Sequence, residues 1–218
     1  MFAADVRLNN AEEKALIENG SLNIYPKGDL IYAAGQQALE VHYILRGWVN
    51  VFKVNNQGRQ VSLGLRYGGE FAGLSSFVCH EERGCYGVAM MDSEIVSVPR
   101  EKFDALLGEL PGFSRKIIFL LGNCLKNTQN SLVYFISHQT DKRLILTLLN
   151  IARHLGREFQ GKRLINLKLS QEELANIVGC SRQTANNLLM ELKSTGCIEM
   201  KGREIVSIFP ERLAGKVC

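Results

Sequence analysis

The chain has few of the residues that break or cross-link structure, and several whole classes of motif are missing. It holds only four prolines and one tryptophan in 218 residues. No run approaches the 18 consecutive apolar residues of a membrane-spanning helix, which excludes that architecture and any membrane partner. The first residues, Met1 to Asp5, lack a basic region followed by an apolar one, so no secretory signal is expected and a cytoplasmic location is. Six cysteines stand at 79, 85, 124, 180, 197 and 218, and none forms a Cys-x-x-Cys pair. The spacing gives neither a zinc ribbon nor a disulfide framework, and reduced thiols are expected. There is no glycine-rich phosphate loop, no nucleophile elbow and no His/Asp/Glu set at metal spacing. The four histidines, at 42, 80, 138 and 154, are scattered. Nothing therefore points to an enzyme or to a metal site.

What remains is an ordinary globular composition, 46% apolar and 22% charged with 20 glycines. It excludes disordered and collagen-like chains. The length allows one large domain or two small ones. The net charge of +4 is uneven: residues 140–218 carry 13 Lys/Arg against 8 Asp/Glu, and residues 1–139 carry 13 against 14. A basic C-terminal third on a neutral body suits an anionic partner at that end.

Three zones follow from periodicity. Residues from about 20 to 108 read as β-rich. Val41, Tyr43 and Leu45 alternate, Gly47 breaks the run, Val49 and Val51 restart it, and Asn55-Asn56-Gln57-Gly58 supplies turn chemistry. Val61, Leu63 and Leu65 alternate again, and Ile95, Val96 and Val98 form a short strand before Pro99. Short strands between glycine-rich turns predict a sandwich or jelly-roll barrel. From Pro111 to about His138 a single helix is expected. Ile118, Leu121, Leu125, Thr128, Leu132 and Phe135 are spaced 3, 4, 3, 4 and 3 along it. That is a heptad seam, suited to a parallel two-helix dimer contact or to packing on its own domain. In the third zone Leu144, Leu148, Ile151 and Leu155 repeat at helical spacing, Ile165, Leu167 and Leu169 alternate, and Lys201-Gly202-Arg203-Glu204 forms the basic tip of a hairpin.

The most specific signal is residues 170–192. Ser170 with Glu173 makes a capping box, Leu174 and Val178 give an apolar face, and Gly179 stops the helix in a tight turn. Ser181 caps a second helix that buries Ala185, Leu188, Leu189 and Leu192. This is a helix-turn-helix. Its second helix leaves Arg182, Gln183, Asn186 and Asn187 on the outer face, where base edges are read. Ser170, Ser181 and Thr184 suit phosphate oxygens. Lys201 and Arg203 suit the duplex backbone, as a wing.

A barrel, a long heptad helix and a winged helix-turn-helix, in that order, resemble the cyclic-AMP receptor protein and fumarate–nitrate regulator (Crp/Fnr) superfamily of bacterial transcription regulators. The resemblance runs from about residue 20 to 210. It is carried by Ile177 to Thr184, by Lys27-Gly28-Asp29 with Gly35, by Ile44-Leu45-Arg46-Gly47, by Gly69-Glu70-Phe71-Ala72-Gly73, and by Asp92-Ser93-Glu94 with Pro99-Arg100. It implies an α+β chain of three parts: an effector barrel at 1–110, a dimerisation helix at 111–139 and a DNA-binding domain at 140–218. It also implies a homodimer on palindromic duplex DNA, working with RNA polymerase, its domains hinged near Gln139 to Asp141.

The effector pocket departs from the family's nucleotide-binding pattern. Where the family has Gly-Glu-Leu, this chain has Gly73-Leu74-Ser75, so the acid that binds the ribose hydroxyl is lost. The family's Arg-Ser pair falls on Arg83-Gly84 or, without a gap, puts Gly84 in the arginine's place. The adenine-contacting Thr-Ser pair matches Thr128-Gln129. Cyclic AMP is therefore disfavoured, and the effector is an unnamed small molecule; the alternatives that the resemblance implies are a genuine cyclic-nucleotide-activated regulator and one that senses haem or, through Cys180, redox state. The chain has no cysteine before Cys79, which leaves nothing to hold the family's N-terminal iron–sulfur cluster. Cys79-His80 lies in the loop where one branch binds haem, but without that branch's intervening residue, so haem is not expected. On the recognition helix the family's Arg, Glu and later Arg correspond to Arg182, Gln183 and Asn187, which predicts a half-site with one guanine and more A·T readout.

Overall fold

The computed structural model describes residues 7–137, 139–165, 169–202 and 204–216, with backbone only at 131 and 134–137. The chain divides into two compact units, parted at residue 130, with residues 59–62 grouped with the second. The first unit begins with helix α1 (Asn10–Asn19). It then runs through strands β1 (Ser21–Tyr25), β2 (Leu30–Tyr32), β3 (Glu40–Arg46), β4 (Trp48–Val54), β5 (Gln60–Tyr67) and β6 (Phe71–Ala72) to helix α2 (Leu74–Val78). Strands β7 (Tyr86–Ala89) and β8 (Ser93–Pro99) precede helices α3 (Arg100–Glu109) and α4 (Pro111–Ser137). The strands form two four-stranded sheets, ordered β1-β8-β3-β6 and β2-β7-β4-β5.

Two cores explain why two sheets are needed. Ile44, Ala72 and Ile95 from the first sheet meet Tyr32, Val49 and Val51 from the second. On its other face the first sheet presents Val41, Tyr43, Phe71, Val96 and Val98 to Leu16 of α1, Phe103 of α3, and Phe113 and Ile117 of α4. Phe103 anchors this layer, with ring centroids 5.3 Å from Phe77, 5.4 Å from Phe113 and 6.0 Å from Phe71. Strand β3 is thus covered on both faces, and His42 and Ile44 are as buried as Val41 and Tyr43. Strand β4 is buried continuously from Trp48 to Phe52. The alternation read from Val41 and Val49 holds for the side chains' directions but not for burial, because both sides of these strands face protein.

Helix α1 opens with an Asn9–Glu12 capping box, and Glu12 also meets Lys116 Nζ of α4 at 2.5 Å, tying the two helices together. Helix α4 is 27 residues, roughly 40 Å at 1.5 Å per residue. Its apolar positions fall on two faces. Phe113, Ile117, Leu120 and Leu121 pack on the barrel, whereas Ile118, Leu125 and Leu132 are 71%, 62% and 62% exposed. The heptad seam is therefore split: Leu121 is claimed by the barrel's own core. The Phe135 side chain lies outside the described residues.

The second unit has helix α5 (Thr140–Leu155), strands β9 (Arg157–Phe159) and β10 (Lys162–Leu164), helices α6 (Gln171–Val178) and α7 (Arg182–Ser194), strands β11 (Ile198–Lys201) and β12 (Glu204–Ile208), and a short helix α8 (Pro210–Ala214). Its sheet runs β11-β12-β10-β9. The alternation at Ile165, Leu167 and Leu169 yields no strand at its described ends, and Leu167 lies outside the described residues. Leu144, Leu148 and Ile151 of α5 are buried with Leu174, Ala175 and Val178 of α6 and Ala185, Leu189 and Leu192 of α7, while Leu188 is half-buried.

Candidate nucleic-acid interface and effector site

The turn between α6 and α7 is built from local rules. Ser170 accepts from the Glu173 amide at 3.1 Å, and the Ser170 amide donates to Glu173 at 2.6 Å, which closes the capping box. Gly179 sits at φ +74°, ψ +48°, a conformation that costs a side-chain-bearing residue about 1 kcal/mol or more. Its amide donates to Ala175 O at 2.8 Å. Ser181 then accepts from the Thr184 amide at 3.0 Å and starts α7. A further residue, which the sequence did not single out, holds the turn from α5. Arg143 donates through Nε to Val178 O and through Nη2 to Gly179 O, each at 3.2 Å, and Nη2 also reaches Thr140 Oγ1 at 3.2 Å. It satisfies carbonyls that the end of α6 leaves open.

On α7, Arg182, Gln183, Thr184 and Asn187 are exposed together with the capping Ser181. The first turn contains no acidic residue, so the positive end of the helix dipole is left for an anion. Arg182 makes no ion pair among the described residues. Ser181 Oγ and Thr184 Oγ1 are 2.8 Å apart and bond each other. Asn186 differs from its neighbours. It is half-buried, and its Oδ1 accepts from Gln171 Nε2 at 2.7 Å, a partner at the start of α6 that sequence reasoning missed. Ser170 is exposed at the same end of α6. In the β11–β12 hairpin Lys201 is exposed and Gly202 turns at φ +63°, while Arg203 lies outside the described residues.

In the barrel, Arg83 is 3% exposed and Gly84 is exposed. The guanidinium stays charged in the interior by lining up with neutral acceptors. Nη1 donates to Gly73 O at 2.6 Å, and Nη2 donates to Glu40 O and approaches His42 Nε2 at 3.4 Å. The Tyr32 ring lies 4.7 Å below Cζ. Among the described residues no carboxylate pairs with it. Burial lowers the Arg83 pKa from its ordinary value. Gly73, at φ +73°, is required here: a Cβ would fall 2.3 Å from Arg83 Nη1.

Arg83 donates only, so His42 Nε2 must be its unprotonated acceptor. Nδ1 therefore carries the proton and faces Ser97 Oγ at 3.0 Å. Burial, and secondarily the Arg83 charge, push the His42 pKa down to about 3. The Tyr32 ring stacks on His42 at 5.4 Å, and its buried hydroxyl is turned to the Cys85 thiol. The sequence reading gave His42 no role beyond one of four scattered histidines and did not name Tyr32. Their signal, polar groups inside an otherwise apolar strand pattern, was hidden in the alternation.

The other predicted pocket residues do not converge on Arg83. Leu74 is buried in the core between the first sheet and the helices, and Ser75 is exposed on α2. Thr128 and Gln129 are exposed on α4, with Thr128 Oγ1 donating back to Cys124 O at 2.9 Å. Leu74, in the place of the family's ribose-binding acid, offers a hydroxyl no acceptor. His80 has φ +56°, and its Nε2 lies 3.3 Å from Arg100 Nη1; Cys79 is exposed. Among the described residues no three His, Cys, Asp or Glu side chains gather to hold a metal ion, and no helix is long and apolar enough to cross a membrane. Cys180 is half-buried beside the α6–α7 turn, and burial raises its pKa.

Comparison with known proteins matches both units. Residues 22–109 match the cyclic nucleotide-binding domain model, and residues 142–215 match the Crp-like helix-turn-helix domain. The chain is 26% identical over 190 residues to the CRP-like cAMP-activated global transcriptional regulator of Mycobacterium tuberculosis, covering 87% of this chain and 85% of that one. It is 21% identical over 179 residues to the fumarate and nitrate reduction regulatory protein of Escherichia coli, covering 82% and 71%. Among solved structures, FixK2 from Bradyrhizobium japonicum superposes with a TM-score of 0.77 at 21% identity, covering 90% of this chain and 96% of that one. The c-di-GMP responsive regulator CLP of Xanthomonas campestris gives 0.75 at 22%, covering 91% and 98%.

Proposed function

Since the chain belongs to the Crp/Fnr superfamily of transcription regulators, we propose that it is a homodimeric, effector-gated regulator of transcription that binds a palindromic operator. The observation that carries this reading is the exposed N-terminal face of α7, where Arg182, Gln183 and Asn187 stand over a helix start free of acids. Arg182 suits the O6/N7 edge of guanine, and the amides of Gln183 and Asn187 suit adenine. A half-site with one guanine and otherwise A·T character follows. Ser170, Ser181, Thr184 and the wing residues Lys201 and Arg203 bind backbone phosphates.

Ile118, Leu125 and Leu132 recur every seven residues on the exposed face of α4, and this stripe supports a parallel pairing of two α4 helices. Two recognition helices would then enter successive major grooves, roughly 34–36 Å apart. The functional parts are the barrel (1–110), the dimer helix (111–139) and the DNA domain (140–218), hinged near 139–141. RNA polymerase is the partner that reads the bound dimer. The chain acts by binding rather than turnover, in the cytoplasm.

The effector is a small anion other than cyclic AMP. Arg83 supports an anion because it is a buried cation bonded only to carbonyls and a neutral imidazole. Leu74 speaks against a cyclic nucleotide, since a ribose hydroxyl buried against it loses a partner at a cost of about 1–3 kcal/mol. An anion would exchange with the Gly73 or Glu40 carbonyl on Arg83, and it gates DNA binding only through tighter binding to the DNA-competent state.

The test is paired. Titration of a fluorescent duplex across salt concentrations should give a steep fall of affinity with salt; salt-independent or absent binding refutes the DNA reading. Calorimetry with cyclic AMP should give no heat, and micromolar binding refutes the effector assignment while leaving the DNA reading intact.

A further inference from the structure

Among the amides of α7 that the sequence places on its outer face, Asn186 is not free to choose how it faces the groove. Asn186 sits in the second turn of α7, half-buried between that helix and the start of α6. Gln171, the first residue of α6, donates its Nε2 to Asn186 Oδ1 at 2.7 Å. Gln171 is itself half-buried, next to a capping box that fixes the α6 backbone. An unrestrained asparagine rotates its amide and can offer donor and acceptor together, which is how it reads adenine. Here the oxygen is held toward α6, and one of its lone pairs is spent on Gln171. The nitrogen is left on the opposite side, with no partner among the described residues.

We infer that Gln171 is a specificity-determining residue of this interface: by holding Asn186 Oδ1 it turns Nδ2 into the groove, so that Asn186 favours an all-acceptor edge, guanine O6/N7 or thymine O4, over the mixed acceptor–donor edge of adenine. Gln171 acts through Asn186 as a positioning residue. This inference rests on the DNA-binding reading above, and it changes one base pair of the expected half-site.

Selection from a randomised duplex library with the full-length protein tests it. The wild type should enrich guanine or thymine over the alternatives by at least about fivefold at one base pair of each half-site, the low end for a base-edge contact. Asn186→Ala should flatten that pair and leave the others. Gln171→Glu is the decisive variant. A carboxylate can only accept, so it must take Asn186 Nδ2 as its donor, flip the amide and present Oδ1 to the groove. The preference at that same pair should then turn to cytosine or adenine on the same strand, with affinity lower at every sequence because a charge has been added near phosphate. Gln171→Leu should relax the pair without inverting it.

A second measurement needs no DNA. In the free protein, Asn186→Ala should shift the side-chain amide resonance of Gln171, and Gln171→Leu should shift that of Asn186. The inference is overturned if Gln171→Glu and Asn186→Ala leave every selected position as in the wild type, if the wild type selects adenine at the pair that Asn186→Ala flattens, or if the two amide resonances do not respond to each other. A wild-type protein that enriches no sequence at all is a different result: it removes the DNA-binding reading itself.

Discussion

Acidification should destabilise the barrel through one histidine. His42 is 1% exposed, donates from Nδ1 toward Ser97 Oγ, and turns a bare Nε2 toward the Arg83 guanidinium. A second positive charge at that position meets both desolvation and an existing cation, and its pKa falls to about 3 from 6.5. In the unfolded chain the same imidazole titrates near 6.5. Above that pH both states are neutral at His42 and the full stability is present. Between about 6.5 and 3 the unfolded chain binds a proton that the folded one refuses, so stability falls as pH falls, and the slope flattens below about 3. Each pH unit in that window is worth up to about 1.4 kcal/mol. At pH 5 the loss is therefore about 2 kcal/mol. That figure hardly depends on how far below 4 the folded-state value lies, because at pH 5 the folded histidine is neutral either way.

Other groups also respond to acid, so the assay is a double difference. Urea unfolding of wild type and His42→Gln, at pH 7 and pH 5, isolates the histidine's share. Glutamine keeps an acceptor for Arg83 and a donor for Ser97 without a titration. The variant should be less stable at pH 7, from altered packing, yet lose about 2 kcal/mol less than wild type on going to pH 5. In parallel, the His42 ring resonances of the folded wild type should stay at their neutral positions down to pH 5. Equal losses in the two proteins, or a His42 resonance that titrates near 6.5, would refute the argument.

Three further outcomes are expected. Leu125→Asp puts a charge into the exposed stripe of α4, where Leu125 is 62% exposed in one chain; sedimentation should detect monomer at concentrations where wild type is dimeric, and an unchanged mass would sink the α4 pairing. Arg143→Met removes the donors to Val178 O and Gly179 O, a loss of about 1.5–3 kcal/mol for charged hydrogen bonds. DNA affinity should drop while the salt slope stays as in wild type, because Arg143 holds the turn; a slope reduced by about one would make it a phosphate contact instead. Leu74→Glu places a carboxylate in the core and should lower the melting temperature sharply without creating cyclic-AMP binding; a stable variant that binds the nucleotide would show that Leu74 alone had closed the pocket.

The helix-turn-helix was legible in the sequence because its determinants are local. Ser170 with Glu173, Gly179 and Ser181 each act within a few residues of themselves, and the structure finds both caps and the left-handed glycine where those residue types require them. The barrel was legible as a class and not in detail. Period-two reasoning assumes one wet face, whereas β3 and β4 are covered on both, so alternation did not reveal that His42 is interior. The α4 seam was legible as a set of apolar positions and not as a surface. Spacing identifies apolar positions but not who claims them, and the barrel takes Leu121 while leaving Ile118 and Leu125 open.

The residues that sequence reading missed share a property: each acts on something far along the chain. Arg143 reaches carbonyls 35 and 36 positions away, Gln171 reaches an amide 15 away, and His42 meets Arg83 across 41. None carries a local signature, since an arginine early in a helix or a glutamine at a helix start is unremarkable in isolation. The same separation marks the division of labour in this molecule. The groups proposed to meet DNA first, Arg182, Gln183 and Asn187, are exposed on a helix set by its cap. The groups that orient them or hold the barrel's buried charge are fixed by packing, and a change there is felt first as lost stability. The Arg83 variants divide these cases: a lysine keeps the charge but not the two-nitrogen fork, so it should cost the barrel stability even if an anion still binds. An Arg83→Lys protein as stable as wild type would mean that the Gly73 and Glu40 carbonyls do not need that fork.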